Sequence, residues 1–142
     1  MSRGAAWRER SGMLLVFALL FVTLSLFVPN FFTQRNMLGL ALSVSTVGML
    51  ACTMLFCLAS GDFDLSVEAV VAFSGVLAVV IANATHSVAM GFAAGILAGG
   101  AVGLVNGILI AGAGINALIV TLGTMQIVRG LGYLVSGGSA VS

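Results

Sequence analysis

Five long apolar runs occupy most of this 142-residue chain. A helix needs about 20 apolar residues to cross the ~30 Å hydrocarbon core of a bilayer. These runs also lack the polar face that an amphipathic helix of a soluble protein shows. Charged residues make up only 6% of the chain, which excludes an ordinary soluble domain. The sequence therefore predicts an all-α, polytopic membrane protein with about five transmembrane helices. The expected spans lie near residues 13–28, 37–60, 65–82, 88–111 and 115–135.

Several kinds of chemistry are not expected from this composition. A formal net charge of +1 gives no footprint for nucleic acid, so we expect no nucleic-acid partner. Cys52 and Cys57 stand inside an apolar run without a CxxC spacing, which favours small buried hydrophobes over metal or redox work. No hydrolase, metalloprotease or phosphate-loop motif is present, so we expect no catalytic residues, metal or cofactor, and no ATP hydrolysis by this chain alone.

The basic residues suggest an orientation. Arg3, Arg8 and Arg10 precede the first span, which predicts a cytoplasmic N-terminal tail over residues 1–12 by the positive-inside rule. The transmembrane domain is expected over residues 13–142. Its last part is uncharged and rich in glycine, which suggests a sequence truncated at the C-terminus.

A glycine repeat marks the fourth span. A glycine stands at every fourth position, and small residues at this spacing let two membrane helices approach closely. Four overlapping GxxxG pairs predict a tightly packed interior helix, although they do not identify a function. The expected helix-packing residues are Gly91, Gly95, Gly99, Gly103 and Gly107.

The few polar residues carry most of the functional information. Asp62 and Asp64 stand between two spans, where a loop with a helix cap is the simpler interpretation and a solute path is the alternative. Glu68 can lie at the membrane interface or face the bundle interior. Arg129 can extend to a lipid headgroup or pair with an acid. Hydrogen bonds between helices are expected of Asn106, Asn116 and Gln126.

Three stretches together resemble a known family. They are the signature-like segment 57–67 (CLASGDFDLSV), the segment 103–107 (GLVNG), and the segment 116–125 (NALIVTLGTM) with RGL at 129–131 and SGG at 136–138. In order and spacing they resemble the permeases of sugar ABC importers of the ribose, arabinose and xylose class. Residues 49–67 and 115–130 most resemble the arabinose type.

The resemblance implies the N-terminal half of a permease bundle in a bacterial inner membrane. Such a subunit moves a monosaccharide, here expected to be L-arabinose, by alternating access. Its implied partners are a cytoplasmic ABC ATPase, a periplasmic sugar-binding protein, a second permease copy and membrane lipid. Glu68 departs from the resemblance, because the family usually has a small residue there. The candidate residues of the signature and the translocation path are Asp62, Asp64, Ser66, Glu68, Thr121, Gly123, Arg129 and Gly130.

Two other classes of function remain open from the residues. The chain can be a small pore or secondary transporter in which Asp62, Asp64 and Arg129 form a charge relay, and transport would then need no ATPase. It can also be a non-transporting membrane assembly subunit whose glycine repeat binds a partner helix.

Overall fold

The computed structural model describes residues 3–141, with side chains described from Ser11 onward. Every regular element in this part of the chain is helical, in the order α1, Arg3–Phe27; α2, Gln34–Ala59; α3, Val67–Thr85; α4, Val88–Gly107; a π-helical turn, Ile108–Gly112; and α5, Ala117–Ser136. The all-α fold predicted from the sequence is therefore confirmed. The side chains of Arg3, Arg8 and Arg10, on which the predicted orientation rests, lie outside the described part, as does Ser142.

Four of these helices are long and apolar enough to cross a membrane. Their candidate spans are Gln34–Ala59, Val67–Thr85, Val88–Gly112 and Ala117–Ser136, and a shorter apolar stretch, Ser11–Phe27, belongs to α1. Helix α1 itself begins at Arg3, inside the segment that the sequence assigns to an N-terminal tail. This architecture is that of a polytopic membrane protein.

The chain divides into two units after Val47. The first unit contains α1 and the first part of α2. Helix α1 ends just before Pro29, which lacks a backbone donor, and Asn30 takes a left-handed conformation with φ 62° in the turn that follows. Phe21 and Phe31 meet edge to face with ring centroids 5.3 Å apart, so aromatic contact holds this turn against α1.

The second unit contains the end of α2, helices α3 to α5 and the π-helical turn. Two residues past the end of α2, Gly61 takes a left-handed conformation with φ +89°. The N–H of Asp62 reaches back 3.1 Å to the Cys57 carbonyl, which satisfies one of the last carbonyls of the helix. Ser87 is the N-cap of α4, and its side chain accepts a hydrogen bond from the Met90 N–H.

The glycine repeat divides into two parts along α4. A Cβ on Gly91 would fall against the Ala78 carbonyl oxygen, and one on Gly95 would lie 3.0 Å from the Ser74 carbonyl oxygen. At Gly99 the nearest atom would be Ser74 Oγ, 3.2 Å away. These three glycines lie directly against α3. No described atom comes within 4 Å of a Cβ placed on either of the remaining two, Gly103 and Gly107.

Candidate functional site

The connection between α2 and α3 is non-helical backbone beside two candidate membrane spans. Residues 60–66 contain no regular helix. They help to line a cavity of about 290 Å³ whose other walls include Asn106 and Ala111 from the span Val88–Gly112, and Thr121 from the span Ala117–Ser136. Irregular backbone beside membrane spans is tolerated where it is buried in protein or lines a cavity.

Asp64 orders the start of α3. Its carboxylate oxygen Oδ1 accepts hydrogen bonds from the backbone N–H of Ser66, at 2.8 Å, and from the Ser66 hydroxyl, at 2.6 Å. Ser66 occupies the N-cap position of α3, but its side chain makes no capping bond to the helix. The Ser66 hydroxyl instead bonds to groups outside α3. The carboxylate of Asp64 fixes the turn that leads into α3.

A chain of hydrogen bonds runs from Asp64 through the start of α3 to α4 and α5. Asn106 on α4 donates from Nδ2 to the Ser66 hydroxyl at 3.1 Å. Thr124 on α5 donates to Asn106 Oδ1 at 2.7 Å. Each donor therefore points toward the Asp64 carboxylate, from Thr124 through Asn106 and Ser66. Hydrogen bonds aligned in this way polarise one another in a medium of low dielectric.

The groups that form this chain of hydrogen bonds are buried or half-buried, so leaving any of them unpaired would be costly. Ser66 is 1% exposed, Asn106 is 5% exposed and Thr121 is fully buried. Buried polar groups are costly unless they are paired, and the carbonyl of Phe63 accepts a long hydrogen bond of 3.5 Å from Thr121 Oγ1. The irregular segment is thus held to α4 through Asn106 and to α5 through Thr121. We call the group formed by Asp64, Ser66, Asn106, Thr121 and Thr124 the polar cluster.

The remaining candidate residues fall at different places. Asp62 is exposed and lines the cavity beside the polar cluster. Glu68 and Arg129 form an ion pair, with Oε2 and Nη2 3.6 Å apart, away from that cavity. Gly123 and Gly130 are exposed, and no described atom lies within 4 Å of a Cβ built on either.

Three polar residues expected to bond between helices behave differently. Asn106 does so on both sides of its amide. Asn116 instead caps α5, accepting a hydrogen bond from the Leu118 N–H at 3.0 Å. Gln126 is exposed. Asn106 and Thr124 are not among the site residues predicted from the sequence, although a lone amide inside an apolar span is a signal that could have identified Asn106.

The chain belongs to the branched-chain amino acid transport system / permease component family, whose pattern it matches over residues 36–141. The matched range contains the whole polar cluster. The chain is therefore a multi-pass membrane protein of a permease family.

Individual relatives align with nearly the whole chain. The L-arabinose ABC transporter permease protein AraH of Azospirillum brasilense is 58% identical over 142 aligned residues, which cover 99% of this chain and 42% of the relative. The L-arabinose transport system permease protein AraH of Escherichia coli K12 is 59% identical over 140 residues, covering 99% and 42%. The ribose import permease protein RbsC of the same strain is 29% identical over 137 residues, covering 96% and 43%.

The chain thus spans less than half the length of these curated relatives. The relatives are permeases rather than catalytic subunits, and the resemblance to sugar permeases inferred from the three sequence stretches is confirmed. No solved structure matches the chain.

Proposed function

We propose that this chain forms part of the membrane-spanning permease of an ATP-driven ABC importer that moves L-arabinose across a bacterial inner membrane. The observation that carries this proposal is the 58–59% identity to two L-arabinose permeases over 99% of the chain. The ribose permease, at 29% identity, is similar along nearly the same length. This difference in identity favours the arabinose type among pentose permeases.

The polar cluster supports a structural role for the signature in such a permease. Asp64 and Ser66 come from the first of the resembling stretches, Asn106 from the second, and Thr121 and Thr124 from the third. Hydrogen bonds join Asp64, Ser66, Asn106 and Thr124 in one chain, and Thr121 holds the same segment through the Phe63 carbonyl. The cluster keeps the non-helical segment 60–66 in place. Gly103 and Gly107 line the adjoining cavity and add no side chain to it.

The proposed mechanism requires partners outside this chain. A periplasmic binding protein delivers the sugar, a cytoplasmic ABC ATPase supplies the energy, and a second permease copy completes the path between two bundles. The bundles rock around the central cavity, and no bond of the sugar is made or broken. With the N-terminus in the cytoplasm, the polar cluster lies toward the cytoplasmic ends of α4 and α5.

The relay required by a self-sufficient secondary transporter receives no support from the geometry. Arg129 pairs with Glu68, and the Asp64 carboxylate is occupied by Ser66. The glycine repeat that a scaffold would offer to a partner helix is used within the chain at Gly91, Gly95 and Gly99. Neither alternative has a specific observation in its favour.

Transport in proteoliposomes tests the proposal. The protein expressed from its own gene is reconstituted with the ABC ATPase and the periplasmic sugar-binding protein of an L-arabinose importer, and uptake of radiolabelled L-arabinose is measured. We expect uptake that needs ATP on the ATPase side and the binding protein on the other side. An ATPase with its phosphate-loop lysine replaced serves as the matched control.

Two results would contradict the proposal. Uptake that persists without ATP and disappears when a proton ionophore is added would indicate a secondary transporter. A stable complex that shows no flux of L-arabinose, D-ribose or D-xylose would indicate an assembly subunit.

A further inference from the structure

A second cavity, of about 400 Å³, lies along α3 and α5. One wall is a single face of α3, from Glu68 to Val76, and the other is the C-terminal half of α5 together with residues 139–141. Its polar lining comes from the ion pair and from Tyr133, Ser136 and Ser139. Cavities that bind small molecules measure roughly 300–1,000 Å³, so this one is large enough to hold a monosaccharide.

The ion pair in this cavity has unused hydrogen-bonding capacity. Glu68 and Arg129 make a single contact of 3.6 Å, and their side chains remain 77% and 47% exposed. A carboxylate has about four acceptor sites and a guanidinium has five N–H donors. Each group can therefore bind further hydroxyls while the pair stays together.

The position of the pair is unusual for a charge that only stabilises the fold. Glu68 is the second residue of the candidate span Val67–Thr85, and Arg129 lies in the C-terminal half of the span Ala117–Ser136. Ionisable residues inside membrane spans are costly and commonly mark a solute or ion path. Helices α3 and α5 already bury apolar residues beside the pair, Ala69 and Val128, each 2% exposed.

We propose that this cavity is a binding station for the sugar, with Glu68 accepting hydrogen bonds from its hydroxyl groups and Arg129 donating to its oxygens. Tyr133 adds an aromatic ring and a phenol to the same wall. The assignment rests on the proposed function, because it names the residues with which the permease itself recognises a hydroxyl-rich solute. Adjacent donor and acceptor groups discriminate between sugars that differ in the configuration of one hydroxyl.

Protection from alkylation measures occupancy of the cavity directly. In the assembled transporter, Cys52 and Cys57 are replaced by alanine, and Ser139→Cys provides a thiol in the cavity wall. Thr85→Cys, exposed at the end of α3 and outside the cavity, is the control. L-Arabinose should slow the reaction of a small polar maleimide at position 139 and leave position 85 unchanged. Glu68→Gln should remove this protection.

Exchanging the two charges tests whether the ion pair binds the sugar or only stabilises the structure. Glu68→Arg combined with Arg129→Glu restores an ion pair but reverses the positions of donor and acceptor. We expect folded yield close to that of the native protein and a KM for L-arabinose uptake raised about tenfold, the effect of losing a charged hydrogen bond. Native uptake kinetics in the exchanged protein would overturn the proposal.

The outcomes distinguish this proposal from the proposed function. If the native transporter imports L-arabinose but the sugar gives no protection at position 139, the binding station is wrong and the transport function stands. If it imports no L-arabinose, the proposed function fails. The labelling is then repeated with D-ribose and D-xylose, and absence of protection by both overturns the binding station as well.

Discussion

The two ends of helix α4 use the same repeat of glycines differently. At the N-terminal end, Gly91 and Gly95 place the helix backbone directly against the backbone of α3. At the C-terminal end, Gly103 and Gly107 have no described atom within 4 Å of a Cβ position, and both line the cavity beside the polar cluster. Near this end the start of α3 meets α4 at Asn106, through the N-cap Ser66, rather than at these two glycines. One pattern of small residues therefore provides contact where the backbones of α3 and α4 meet directly, and space where the helix lines the cavity.

The largest effect should come from a bulky side chain at the N-terminal end of α4, where the helix contacts α3 (the contact end). In Gly91→Leu even the Cβ would collide with the Ala78 carbonyl, and it would lie 2.8 Å from Ala82 Cβ. Because backbone on both helices must move, we expect a loss of about 3 kcal/mol or more, at the upper end for overpacked cores. Gly103→Leu is the matched control and should keep the folded yield. Thermal unfolding in detergent, followed by size-exclusion chromatography, measures both.

The same pair of variants has opposite expected effects on transport. Gly103→Leu places a bulky side chain in the cavity, so it should reduce L-arabinose uptake while the protein stays folded. Equal stability of the two leucine variants would show that the two ends of α4 do not differ as described.

The next largest effect should come from the polar cluster. Asn106→Leu removes the acceptor of the Thr124 hydroxyl and the donor to Ser66. Two buried hydrogen bonds between membrane helices should contribute together about 1–3 kcal/mol. Gln126→Leu makes a closely similar change on an exposed part of α5 and should cost almost nothing. A comparable loss in both variants would mean that the amide of Asn106 stabilises no specific contact.

Much of this architecture could be predicted from the sequence because it follows from composition and spacing. Apolar runs gave the helical membrane fold, and the family resemblance followed from short motifs. The glycine repeat predicts close packing along the whole of α4, whereas only Gly91, Gly95 and Gly99 have α3 within 4 Å of a Cβ position. It could not show where that packing stops, since this depends on which residues of α4 face α3 and which face the cavity.

The polar cluster was harder to predict because its members are far apart in the chain. Asn106 and Ser66 are 40 residues apart, and no periodicity relates them. The sequence also left two partners open to Arg129, a lipid headgroup or an acid. Only the arrangement of α3 beside α5 selects Glu68 as that partner.

A smaller effect is expected at the start of α3. Asp64→Asn keeps an oxygen that can accept from the Ser66 N–H, whereas Asp64→Leu removes it. We expect the leucine variant to lose about 1 kcal/mol of stability, as for loss of a helix cap, and the asparagine variant to lose less. Both are measured by thermal unfolding and by uptake. If asparagine abolished uptake at normal protein levels, the negative charge itself would be required.

The smallest effect is expected at Ser74, which lies on α3 opposite the contact end of α4. Ser74 faces Gly99 across the helix pair, and its hydroxyl is the one buried side-chain polar atom in the described residues without a hydrogen-bond partner. Burying an unpaired hydroxyl is unfavourable, so Ser74→Ala should leave stability unchanged or raise it by up to about 0.5 kcal/mol, within the usual range of mild substitutions. Ser66→Ala is the contrasting control, because that hydroxyl is paired on both sides. Destabilisation by Ser74→Ala, measured by thermal unfolding, would mean that the hydroxyl has a partner that the helix pair α3 and α4 does not provide.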